Sequence, residues 1–263
     1  MITSERLKNT IANFILKYNY WGYLFSKITL VRDPHLPSIM GVAPTRDGTI
    51  ELRYHPELVD ATDDNNLKLV IEHEGMHILN KHISRLIRVL SNEVSMTRKM
   101  FKSQVWNIAA DCSVNKQANI PDPLTIAGKP WSTHLPAKWK LPDGKTTEFY
   151  FLELLKQGDK CVKQLAGMGQ NGEGLDNHAD WTKAMQGIAD ISSFSRKLDN
   201  FTRNIIKESV KTFSKDRGNL PGHIAELIEQ ALAPPKAPYY QIIQKLVRAS
   251  RFSKFRMSPT KIN

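Results

Sequence analysis

A chain of 263 residues, 41% hydrophobic and 24% charged, is long enough to bury a core and too apolar to be wholly disordered. It has no apolar run near the ~20 residues that cross a bilayer, and Arg6, Lys8, Asn13, Lys17 and Asn19 interrupt Met1–Phe25, which reads as an amphipathic helix rather than a signal peptide. Two distant cysteines, Cys112 and Cys161, give no disulfide framework, so a cytoplasmic setting without membrane attachment is expected. The formal net charge of +11 is most visible late, from Arg196 to Lys261, and reads as a solvated helix face with a basic tail. Nucleic acid stays open as a partner, but no zinc-finger or RNA-recognition signature accompanies the charge.

In chain order, the first predicted element is a helix over residues 4 to about 24. Lys27–Asp33 and Thr49–Tyr54 follow as short strands, rich in Ile, Leu, Val, Thr and Tyr, with Pro34, Pro37, Pro44 and Gly48 punctuating the stretch between them. Thr62 or Asp63 can cap a long helix running to Leu90. After a break at Ser91–Ser95, another helix is expected over Met100–Ala118, then a loop with five prolines and a short helix near Glu148–Lys156. Residues 157–178 hold five glycines and few large apolar residues, the composition of a mobile loop or flap. Helices resume from Trp181, with breaks near Gly218–Gly222 and at Pro234-Pro235. The pattern is a helix-dominated α+β fold with a small early sheet.

The chemistry concentrates at His73-Glu74-Gly75-Met76-His77. Histidines four apart on a helix project from one side and can share a tetrahedral ion. Glu74, rotated ~100° from His73, can lie beside that ion and take a proton from an activated water without being a ligand. Asn66, His73, His77, Asn80 and Ser84 fall within a stripe ~60° wide at ~100° per residue, beside an apolar flank from Leu69 to Leu90. The plainer alternative is a pair of surface histidines on an ordinary amphipathic helix.

Three residues compete for the third ligand. His82, nine positions beyond His73, falls ~180° around a continuous helix and reads as a histidine packed on the second side. Glu93 follows the helix too closely for an antiparallel return. In Trp106–Asn115, by contrast, Asn107, Asp111 and Asn115 make a polar stripe on an otherwise apolar helix. A carboxylate there is costly to bury unless it is paired or binds a metal. Asp111 is therefore expected as the third ligand, the alternative being a hydrogen bond to Asn107, Asn115 or a histidine. His178, in Asp176-Asn177-His178-Ala179-Asp180-Trp181, can cap the next helix or help stabilise an oxyanion, as can Tyr54. The Thr49–Tyr54 strand is expected along the cleft, where an extended peptide could pair with it.

With these segments in hand, the chain resembles a family of predicted metallopeptidases of bacteria and phages, often joined to a von Willebrand factor A-like domain. The resemblance rests on Glu51–Glu57 (ELRYHPE) before the helix, the H-E-x-x-H with His82 five residues on, Trp106–Asn115 and Asp176–Trp181. It implies a zincin-like domain over residues 1–232, followed by a basic C-terminal segment, 233–263. It further implies a zinc ion held by His73, His77 and Asp111, Glu74 as base, His178 in the active site, and a protein or peptide substrate. The chain stops at Asn263 without the A-like domain, so the expectation is a truncated relative, a proteolytic product, or one half of a split system whose protein partner supplies that domain. The activity so implied is peptide-bond hydrolysis in a bacterial or phage-encoded protein. The alternative is a catalytically silent, zinc-stabilised structural or binding protein, for example a phage-associated component.

Overall fold

The computed structural model describes residues 5–17, 19–158, 181, 187–188, 190–215, 220 and 222–233. All but Leu232 and Ala233 lie in one compact unit, Met1–Ala231; those two belong to a second, Leu232–Asn263.

The first helix expected from the sequence is two: α1 (Glu5–Leu16) and α2 (Tyr20–Phe25). The Asn19 side chain accepts from the Trp21 amide at 2.9 Å and so starts α2 afresh. Three strands follow, β1 (Thr29–Arg32), β2 (Met40–Pro44) and β3 (Ile50–Tyr54), in the order β1-β3-β2. β1 runs parallel to β3 in the register Leu30↔Leu52, and β2 antiparallel to it in the register Val42↔Leu52. Ile50, Leu52 and Tyr54 alternate inward, the period-2 pattern that marks β3 in the sequence. The β2–β3 turn needs Gly48, whose φ is 89° and whose added Cβ would fall 2.8 Å from the Lys197 Cβ. β3 is flanked on both sides by partners. The expectation that it would pair with a peptide is therefore corrected: the edge strands are β1 and β2, and β2 packs on the next long helix.

After α3 (Pro56–Ala61) comes α4 (Asp64–Leu79), capped by Asp63, whose carboxylate accepts from the amides of Asn65 and Asn66 at 3.0 Å. The long helix expected to reach Leu90 breaks at Asn80-Lys81, where Lys81 takes φ 53°, and resumes as α5 (His82–Leu90). Nor is the second half of α4 simply amphipathic. Every residue from His73 to Leu79 is buried, because α2, α6 (Met96–Gln117), β2 and a later helix, α8 (Ile191–Lys215), pack around it. The proline-rich stretch folds into a small hairpin, β4 (Leu124–Ile126) and β5 (Lys129–Trp131), and a 3-10 turn at Pro136–Trp139. Next is α7 (Thr147–Gln157), which lies along α6; α9 (Gly222–Leu232) closes the described chain. The architecture is the helix-dominated α+β fold with a small early sheet. Among the described residues no helix is long and apolar enough to cross a membrane.

Candidate metal centre

α4 and α6 cross so that the two motifs read in the sequence meet in the interior. His73, Glu74 and His77 are 0% exposed and Asp111 is 3% exposed. The Nε2 atoms of His73 and His77 stand 3.0 Å apart, and Asp111 Oδ1 lies 3.4 Å from His77 Nε2 and 3.9 Å from His73 Nε2. A tetrahedral ion with metal–nitrogen bonds of ~2.0–2.1 Å sets its ligand atoms about 3.3 Å apart, and the three distances bracket that value. Two imidazoles and one carboxylate therefore form a donor set that can hold a metal ion. Cys112, next to Asp111, is also buried, and burial and then the Asp111 charge push its thiol up.

Glu74 sits beside this set. Its Oε1 is 3.9 Å from His73 Nε2, while Oε2 accepts a 2.8 Å hydrogen bond from the Val42 amide. Val42 thus turns its peptide group away from β3 and toward the centre. Its carbonyl accepts from Trp181 Nε1 at 2.6 Å, and the Trp181 ring meets His77 edge-on at 5.6 Å. The central carboxylate of α4 is in this way tied to β2 and to a residue 139 positions away from Val42.

The far side of each histidine is also engaged. His73 Nδ1 lies 2.8 Å from Asn115 Oδ1, and Asn115 Nδ2 donates to the His134 carbonyl at 3.0 Å. Since a carbonyl can only accept, the Asn115 amide must present Nδ2 to it and Oδ1 to the histidine. His73 therefore carries its proton on Nδ1 and turns the Nε2 lone pair inward. His77 Nδ1 faces His82 Nδ1 at 2.8 Å, and His82 Nε2 faces Thr147 Oγ1 at 2.9 Å. The expectation of His82 on the second side of the helix is corrected: the break at Lys81 swings it back beneath His77. Trp106 holds it there, donating to the His82 carbonyl at 3.2 Å. Glu93 is half-buried and pairs instead with Lys102 at 2.7 Å.

A family model described as "Putative metallopeptidase domain" matches residues 3–258. The chain belongs to that family. No curated protein and no solved structure matches it. Membership accords with the resemblance read from the sequence, and the buried His73, His77 and Asp111 give the family name a structural basis in this chain. His178 and the glycine-rich stretch before it lie outside the described residues, apart from residues 157 and 158. Sequence reasoning missed Val42 and Thr147 altogether and gave Ser113 no role within its motif, for no local signal marks a strand amide or a hydroxyl within a helix as part of a site. Trp181 and Asn115 stood in quoted motifs, yet their partners come from other elements and could not be read from spacing.

Proposed function

We propose that the chain is a zinc-dependent metallopeptidase in which His73, His77 and Asp111 hold the ion and Glu74 is the general base. The convergence of two imidazoles and two carboxylates on one interior point carries this reading. A nitrogen and oxygen donor set with three protein ligands suits zinc and leaves a fourth position for chemistry.

What a bound zinc ion supplies is Lewis acidity toward a water and toward the scissile carbonyl. Glu74 does the proton work. With Oε2 fixed by the Val42 amide, Oε1 takes a proton from the attacking water as its oxygen bonds to the carbonyl carbon. The same carboxyl then delivers that proton to the amine as the C–N bond breaks, so Glu74 ends ionised as it began. The substrate class is an unfolded protein or peptide. Replacing Glu74 by Gln keeps the hydrogen bond from Val42 and removes the base. We expect Glu74→Gln to retain metal and to lose roughly 10²–10⁴-fold in kcat, measured on a mixture of unstructured peptides. Undiminished hydrolysis with metal in place would sink the assignment.

One observation favours a second reading. Structural zinc sites are closed, and His73, Glu74 and His77 have no exposed surface. In that case the ion stabilises a protein with a binding role, metal-loaded wild type turns over no peptide, and His73→Ala lowers stability without any activity to lose.

A further inference from the structure

We infer that His82, Thr147 and Ser113 form a directed hydrogen-bond chain that sets the tautomer and ring plane of His77, making all three positioning residues for the metal centre. The inference rests on the metal-binding reading above and adds residues from two further helices to it.

The direction of the chain follows from its far end. Ser113 Oγ donates to the Ala110 carbonyl at 2.7 Å, and a carbonyl cannot donate in return. A hydroxyl has one hydrogen, so Ser113 Oγ must accept from Thr147 Oγ1, 3.0 Å away. Thr147 has then used its own hydrogen and accepts from His82 Nε2 at 2.9 Å. In a neutral imidazole the other nitrogen is then an acceptor, so His82 Nδ1 takes the hydrogen of His77 Nδ1 across 2.8 Å. Each link leaves one choice for the next. His77 ends with its proton on Nδ1 and its Nε2 lone pair aimed inward, as Asn115 arranges for His73. Two lone pairs and the Asp111 carboxylate then face one another, which is an arrangement for a cation.

The chain is well protected. His82 is 0% exposed, Thr147 2% and Ser113 7%, so water competes poorly for its links. It also closes a loop in space. It leaves α4 at His77, passes through α5 and the first residue of α7, and returns to α6 at Ser113 and Ala110, beside the ligand Asp111. The position of Asp111 is thereby coupled to the orientation of His77.

The test uses the whole chain and zinc as probe. Thr147→Val keeps the shape of the side chain and removes the hydroxyl, whereas Thr147→Ser keeps the hydroxyl. Partners of this kind are worth about 10–100-fold in metal affinity. We expect Thr147→Val to weaken zinc binding by that factor in a chelator competition, and Thr147→Ser to restore it to within a few-fold of wild type. Nitrogen-15 NMR of zinc-loaded wild type supplies a readout that needs no variant: His77 Nδ1 should carry a hydrogen coupled to His82 Nδ1. Wild-type affinity in Thr147→Val, or zinc bound through His77 Nδ1, overturns the chain while leaving the metal centre standing. Failure of wild type to bind zinc overturns both.

Discussion

Gly75, between Glu74 and Met76, shows how tightly a single residue of the centre is bound to the core. A Cβ built there would fall 2.4 Å from Trp21 Cε3 and 2.5 Å from Cζ3, both on a ring that is itself 4% exposed. In an isolated helix, alanine would gain up to ~1 kcal/mol over glycine. Overpacking a fixed ring costs typically about 1–3 kcal/mol, and here the contact is far inside van der Waals range. Gly75→Ala should therefore destabilise the protein on balance, seen as a lower urea midpoint at unchanged slope. A raised midpoint would mean that α2 can give way to α4. The same crowding explains how the motif stays in register. With Trp21 against Gly75 on one side and Val42 on Glu74 on another, α4 has little room to rotate about its axis.

At the scale of elements, the break between α4 and α5 decides where His82 goes. Lys81 lies in the left-handed region at φ 53° and ψ 38°, which costs an L-residue roughly 1–2 kcal/mol. Glycine there would relieve that cost but gain unfolded-state freedom of similar size, so Lys81→Gly should leave stability and zinc affinity close to wild type. A β-branched residue tolerates this conformation least. Lys81→Val should lower stability by about 1 kcal/mol or more and weaken zinc binding along with it, measured by denaturation and chelator competition. Unchanged affinity would show that His82 finds His77 without the bend. This break was not legible in the sequence, since Asn80 and Lys81 are tolerated in helices and the apolar period runs on through Ile83, Leu86 and Ile87. β2 was hidden for a related reason. Met40-Gly41-Val42-Ala43-Pro44 lacks the alternation of β3 and becomes a strand by pairing with it. What could be read was what repeats locally: the alternation of β3, the polar stripe of α6, and the spacing of His73 and His77. The residues that complete the centre meet only in three dimensions.

For the molecule as a whole, the centre is a junction between distant parts of the chain. Val42 on the sheet bonds Glu74 of α4, Asp111 and Asn115 on α6 reach His77 and His73, Thr147 on α7 reaches His82, and Trp181 meets His77 edge-on. Burying imidazoles and carboxylates together is costly unless a cation offsets their desolvation and mutual repulsion. Zinc should consequently act as a folding ligand. Free metal at 1,000 times its dissociation constant stabilises by about 4 kcal/mol, and for a domain of this size each kcal/mol moves the midpoint by roughly 2–4 °C. Stripping the protein with a chelator should lower Tm by on the order of 10 °C, and restoring zinc should recover it. His77→Ala should abolish the zinc-dependent shift, because it removes a ligand and the end of the hydrogen-bond chain together. Glu74→Gln should keep the shift, since it leaves the three proposed ligands in place. A Tm that ignores both chelator and zinc would mean that packing alone holds these groups together and that no ion completes the site.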